Sequence, residues 1–245
     1  QFLADKVDLI FVFPTEASME VKQATRGTDI PIVFSVANIE ETGLIDSIRE
    51  PGGNITGVRY PGPDLAVKRF EVMREMVPKA KRYWVPYQKD YPIVNSQLNV
   101  LKPAAAAAGV TVIEAPVSNT AELKEALEAQ LQTGGMDVIF FVSEPLTVTA
   151  DNFAVIGKFA ALHKIPMGGA IMDVGRYSMF GINIDLIKTG EQAAAIADKI
   201  LKGTKAGTIP VVSSENYMVI DYQTAQKFGI KVSESLLNQA NKIIR

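Results

Sequence analysis

Residues Val7-Asp-Leu-Ile-Phe-Val-Phe-Pro-Thr-Glu16, followed by Ile30-Pro-Ile-Val-Phe-Ser-Val36, decide the fold. Each apolar run is short, continuous, and rich in β-branched and aromatic residues. That is the pattern of a strand buried on both faces rather than one alternating between core and solvent. Thr15–Thr25 lies between them with helical spacing. Strand, helix, strand with both strands fully apolar predicts a parallel sheet covered by helices, hence an α/β fold.

The same cycle repeats outward. Strands are predicted at Ile55–Tyr60, Arg82–Tyr87, Val110–Ala115, Asp137–Val142, Ile165–Ala170, Tyr177–Ile182 and Asn216–Ile220. Helices are predicted at Thr42–Ile48, Leu65–Met76, Val94–Ala108, Ala121–Gln132, Thr149–His163 and Leu186–Leu201, with two more after Ile220, the last ending at Arg245. Gly134-Gly135 closes one helix as a C-cap signal. The alanine run Ala104–Ala108 reads as a close-packed helix face. Pro- and Gly-rich Arg59–Asp64 looks like a connection between compact units. Two Rossmann-like lobes are therefore expected, lobe 1 at 1–60 and 176–209, and lobe 2 at 61–175 and 210–245. Gln1–Lys6 reads as the end of a helix, so a strand–helix–strand stretch of lobe 1 is expected to precede Gln1. The absence of an initial Met fits a processed chain.

Composition narrows the function. The 245 residues are 47% hydrophobic and 21% charged, which excludes disorder. No apolar run approaches the roughly 20 residues that a membrane span needs. With 25 basic and 27 acidic residues the net charge is −2, and no basic block marks a nucleic-acid surface. There is no Cys and one His, so a Cys-based metal site is impossible and a His-rich one nearly so. No metal or cofactor is expected. The sequence holds no GxSxG, GxGxxG or GxxxxGK[ST] motif. His163 ends a helix and reads as a capping or solvated residue. Glu40-Glu41 has no obvious acid–base partner. Pro51-Gly52-Gly53-Asn54 precedes a strand and reads as a turn.

In parallel α/β sheets, ligands sit at the carboxyl ends of the strands. The residues there are Thr15 and Glu16, Ala37 and Asn38, Tyr87 and Gln88 with Tyr91, Ser143 and Glu144, Asp173, and Asn183. Polar and aromatic groups recurring at successive strand ends suit a small polar ligand. Each also has a plain structural reading. Thr15 and Ser143 could be helix N-caps, Glu16 and Glu144 first-turn acids, and Tyr87 a packing residue.

Several segments resemble the ABC transporter substrate-binding protein family that includes the tryptophan-binding lipoproteins. They are Asp29-Ile-Pro-Ile-Val-Phe-Ser-Val36, Gly43-Leu-Ile-Asp-Ser47, Pro51-Gly-Gly-Asn-Ile-Thr-Gly-Val58, Lys199-Ile-Leu-Lys-Gly203, Ile209-Pro-Val211 and Ala225-Gln-Lys-Phe-Gly-Ile-Lys-Val-Ser-Glu-Ser-Leu-Leu237. The resemblance implies a type I periplasmic-binding fold with three crossovers. It implies a monomeric, secreted or lipid-anchored protein that closes on a small solute and delivers it to the permease and ATPase subunits of an importer. Thr15 matches the family's small-hydroxyl position. Ala37-Asn38 matches its polar loop, with Ile39-Glu40 in place of the common Asp-Pro. Tyr87 matches its aromatic, Gln88 stands where Asn is usual, and Glu144 matches its acidic position. Met167–Asp173 departs most. The alternative is a ligand-sensing domain of a regulator on the same fold. An α/β hydrolase or transferase is the third class, and it lacks a nucleophile–base pair.

Overall fold

The computed structural model describes residues 2–133, 135–170 and 177–245. Its elements are α1 (Phe2–Asp5), β1 (Ile10–Val12), α2 (Thr15–Ala24), β2 (Ile32–Ala37), β3 (Ile55–Arg59), α3 (Gly62–Met76), β4 (Arg82–Gln88), α4 (Pro92–Ala107), β5 (Thr111–Val117), α5 (Thr120–Gln132), β6 (Val138–Phe141), α6 (Ala150–His163), β7 (Met167–Gly169), β8 (Phe180–Ile184), α7 (Leu186–Leu201), β9 (Val212–Ser213), β10 (Asn216–Asp221), α8 (Tyr222–Lys227), α9 (Glu234–Gln239) and β11 (Lys242–Ile244). The chain divides into two units. Unit 1 is Gln1–Pro61 with Ile184–Asn216, and unit 2 is Gly62–Asn183 with Tyr217–Arg245.

Unit 1 is built on a sheet of order β1-β2-β3-β9, parallel throughout. The continuous apolar run of β2 has two destinations because successive side chains point to opposite faces. Ile32 and Phe34 join Ile10, Val12 and Ile55 against Ala17, Met19 and Val21 of α2. Val33 joins Val58 on the other face, against Ala193, Ile196 and Ile200 of α7. Each such fully buried aliphatic or aromatic side chain contributes about 1.5–3 kcal/mol. At Gly57 the two strands approach so closely that a Cβ would lie 2.1 Å from the Phe34 carbonyl oxygen.

Unit 2 is built on a seven-stranded sheet of order β11-β10-β8-β7-β6-β4-β5. The pairs β4–β5, β4–β6, β6–β7, β7–β8 and β10–β11 are parallel. Trp84, Ile139 and Phe141 face Leu123 and Leu127 of α5 and Phe153, Ile156 and Ala160 of α6. Their sequence neighbours Tyr83 and Phe140 take the opposite face, where Tyr83 packs on Phe70 of α3 with ring centroids 5.5 Å apart. At the amino edge, the Asp137 carboxylate accepts the N–H groups of Lys81 and Arg82 at 2.7 and 2.9 Å and pairs with the Arg82 guanidinium. It thereby fixes the register of β6 on β4.

Four expectations need correction. Thr42–Ile48 is not a helix. Glu41 and Gly43 have φ of 61° and 66°, and Thr42 Oγ1 donates to backbone carbonyls while accepting from Leu44 N–H, so the side chain competes with the helical ladder. The tail does not end in a helix. After α9 the chain extends at Ala240, exchanges hydrogen bonds between Asn241 and Met218, and adds β11 beside β10. The strand expected at Tyr177–Ile182 runs from Phe180 to Ile184 and pairs with β7 of unit 2, so the chain leaves unit 2 after Asn183 rather than near 175. It returns after Asn216 rather than near 209, because β9 pairs with β3 of unit 1.

Candidate functional site

In unit 1, strands β1, β2, β3 and β9 present their carboxyl ends along one edge. The chain turns from β1 into α2 through a cis Phe13–Pro14 peptide. Thr15 is the first helical residue rather than the N-cap, which is Pro14. The buried Thr15 Oγ1 accepts the Asn38 N–H at 3.0 Å. Accepting leaves the hydroxyl's own proton available. The first intrahelical bond is made by Ser18 N–H to Pro14 O, so the N–H groups of Thr15, Glu16 and Ala17 precede the ladder. Glu16 is exposed. Val36 has φ of 53°, a rare conformation for a β-branched residue, at a register shift between Ser35 and Ala37. This bulge ends regular pairing just ahead of Ala37 and Asn38. Ala37 is fully buried and acts through its carbonyl, which accepts Tyr60 N–H. Asn38 is also buried.

Sequence reasoning missed Arg59 here. It ends β3, pairs with the Glu40 carboxylate, and donates from Nε to Ser213 Oγ at 2.7 Å. Glu40 is thus held by an ion pair rather than by an acid–base partner. Its signal was weak, because Arg59 and Ser213 are 154 residues apart and meet only through β3–β9 pairing.

In unit 2, the ends of β4, β6 and β8 carry the remaining residues. Glu144 is 4% exposed. Its Oε2 accepts the N–H groups of Gln88 at 3.0 Å and Leu146 at 2.7 Å. Its Oε1 accepts Thr147 N–H at 2.8 Å and the Thr147 hydroxyl. A carboxylate offers about four acceptor positions, and all four are filled from within the unit. Glu144 therefore organises the turn after β6 and ties it to the end of β4, and it is not the first-turn acid of a helix.

Ser143 precedes that turn rather than capping a helix; Thr149 caps α6. The Ser143 N–H donates to Gln97 Oε1 at 2.9 Å, and its carbonyl accepts Gln97 Nε2 at 2.8 Å. The half-buried Ser143 hydroxyl has no hydrogen-bond partner among the described residues. Gln97 was not anticipated, since a glutamine inside a helical pattern usually faces solvent.

Tyr87 is held sideways. Its hydroxyl donates to Glu114 Oε2 at 2.9 Å, and Glu114 pairs with Lys102 at 2.8 Å. Burial first, then the hydrogen bond to Glu114 and the charge of that carboxylate, push Tyr87 up to about 12. The Lys102 hydrogen bond is the largest influence on Glu114; burial opposes it, and Tyr87 adds to it, leaving the carboxyl below its ordinary range. Tyr91 stands at the N-cap of α4 without a side-chain capping bond. Asn183 Nδ2 donates to Ala170 O at 3.2 Å. Asp173 lies outside the described residues. His163 ends α6 and packs on Phe159 with ring centroids 4.6 Å apart. Among the described residues no group of three His, Cys, Asp or Glu could hold a metal ion, and no helix is long and apolar enough to cross a membrane.

Comparison with known proteins follows the same lines. A family model described as ABC transporter substrate binding protein matches residues 1–244. A curated relative, a tyrosine-binding protein of Clostridioides difficile (strain R20291), is 29% identical over 235 residues, covering 94% of this chain. The chain spans 66% of that relative's length. Among solved structures, an ABC domain in complex with L-Trp from Streptococcus pneumonia matches with a TM-score of 0.80 at 26% identity, over 99% of this chain and 82% of that one. A conserved domain protein from Vibrio cholerae matches with a TM-score of 0.82 at 26% identity, over 99% and 80% of the two chains.

Proposed function

The chain belongs to the ABC transporter substrate-binding protein family, and from that premise we propose that it is an extracytoplasmic solute-binding protein whose ligand is an α-amino acid. The fold is the two-lobed type I periplasmic-binding fold. Two relatives support the ligand class, one called tyrosine-binding and one solved with L-Trp. The observation that carries the reading is local. At each carboxyl edge specific donors remain beside the internal hydrogen bonds. In unit 1 these are the Thr15 hydroxyl proton and the first N–H groups of α2, which suit a carboxylate. In unit 2 the donor is the Ser143 hydroxyl. Asn38, Gln88, Tyr91 and Asn183 complete the polar rims. Glu144 supports this edge rather than touches the solute, because its acceptor positions are already filled, and the Tyr87 hydroxyl is taken by Glu114. The role needs no chemical step on the ligand. The permease and ATPase subunits of an importer are the partners that take up the solute.

A thermal-shift panel tests the ligand class. A ligand that binds only the folded protein adds about 2.7 kcal/mol of stability at 100 times its Kd. L-tyrosine, L-tryptophan or another α-amino acid is expected to raise the midpoint in a concentration-dependent way, and simple sugars are not. A shift with a sugar and with no amino acid would overturn the proposal.

A further inference from the structure

We infer that Gln97 is a positioning residue for the solute, acting by holding Ser143 in place; the inference rests on the reading that Ser143 touches the ligand. Gln97 lies on the inner face of α4 and is completely buried. A primary amide is costly to bury unless it is hydrogen-bonded. This one makes three bonds. Oε1 accepts from Ser143 N–H, and Nε2 donates to Ser143 O and, at 3.2 Å, to Ile93 O. Two of the three therefore go to the two backbone groups of a single residue.

That residue stands just beyond the end of β6, where ladder pairing stops. β6 pairs with β4 through Val138 and Ile139 and with β7 through Ile139 to Phe141, and among the described residues no ladder pair reaches Ser143. The Gln97 amide offers Ser143 one acceptor and one donor, as a neighbouring peptide would. The next residue is fixed by a different device, since Glu144 binds Gln88, Leu146 and Thr147. With the backbone held on both sides, the Ser143 side chain keeps only its rotamer freedom. Its hydroxyl is the one polar group of the residue without an internal partner among those described. A leucine would fill the same space beside Val94, Leu98 and Leu101, all buried on this helix face. An amide with both ends on Ser143 supplies orientation that packing alone does not.

A binding cycle and an exchange measurement test this. L-tyrosine and L-tryptophan are titrated into wild type, Gln97→Leu, Ser143→Ala and the double variant, and amide exchange at Ser143 is followed in ligand-free protein. Gln97→Leu is expected to weaken binding about tenfold in the wild-type background, the scale of one misplaced hydrogen bond. In the Ser143→Ala background the same change is expected to have almost no effect, because its target is gone. Exchange at Ser143 is expected to accelerate while core amides such as Leu127 and Ile156 stay protected. An equal loss of affinity in both backgrounds, or unchanged Ser143 exchange, overturns the inference. If neither amino acid binds wild type, the amino-acid reading fails, and Ser143 exchange still decides whether Gln97 holds that residue. Should Gln97→Leu not fold, Gln97→Glu carries the binding cycle alone, without the exchange criterion, since its carboxylate keeps the acceptor for Ser143 N–H and loses both donated bonds.

Discussion

Replacing Glu144 with glutamine separates a turn organiser from a ligand contact. The carboxylate accepts three backbone N–H groups and one hydroxyl in a site only 4% exposed. The introduced amide has two possible orientations. With nitrogen in place of Oε2, both Gln88 N–H and Leu146 N–H would face a donor. With nitrogen in place of Oε1, only Thr147 N–H is orphaned, because the Thr147 hydroxyl can rotate and accept. The second orientation is therefore adopted. One unmet buried N–H costs about 1–3 kcal/mol, and the two remaining bonds lose their charge assistance, roughly 1 kcal/mol each. The total is about 3–5 kcal/mol. For a chain of this size each kcal/mol moves the midpoint by about 2–4 °C, so a fall of about 6–20 °C is expected. The assay is thermal unfolding of ligand-free protein at neutral pH, followed by circular dichroism. A fall under about 2 °C would refute the reasoning. If the same variant kept its midpoint and lost affinity for the amino acid, Glu144 would be a direct partner of the ligand.

The other predictions are more local. Asp137→Asn should lower stability at neutral pH. Burial alone would raise the Asp137 carboxyl, but the Arg82 guanidinium and the N–H groups of Lys81 and Arg82 outweigh it and hold it below its ordinary range. A depressed folded value gives stability above the unfolded value near 4 that is lost on acidification, so the gap between wild type and variant should close below about pH 4 in urea titrations. Tyr87→Phe should cost about 0.5–1 kcal/mol through the Glu114 bond. Its raised folded value means that the contribution is present at neutral pH and fades as pH rises from about 10 toward 12, read by alkaline unfolding. Thr15→Val should remove the bond that Asn38 N–H donates to Thr15 Oγ1 and cost about 0.5–1.5 kcal/mol by chemical denaturation. Gly57→Ala should destabilise by about 1–3 kcal/mol, because its Cβ meets the Phe34 carbonyl of the paired strand.

The α/β class was legible because β2 and β6 are continuous apolar runs. A strand buried on both faces leaves that mark in the sequence, and helices with apolar spacing follow directly. Strand ends were legible for the same reason, which is how Thr15, Asn38, Ser143 and Glu144 were placed just after strands. What those residues bond to was not. Glu144 is an acidic residue after a strand whether it meets a ligand or the N–H groups of Leu146 and Thr147, and only the turn geometry decides. Gln97 was hidden because its partner Ser143 lies 46 residues away on another element. Arg59 and Glu40 meet across the end of a sheet in the same hidden way. The Thr42–Ile48 and Asn241–Arg245 segments were misread for a different reason. Side-chain bonds from Thr42 and pairing with β10 override local helical spacing, and neither is visible in periodicity.

Isothermal titration of the purified protein with L-tyrosine and L-tryptophan tests the central claim most directly. Saturable binding of at least one of them is expected, one molecule per chain, weakened by Ser143→Ala and by Thr15→Val with the fold intact. No binding of either, with saturable binding of a solute that carries no α-carboxylate, would contradict it.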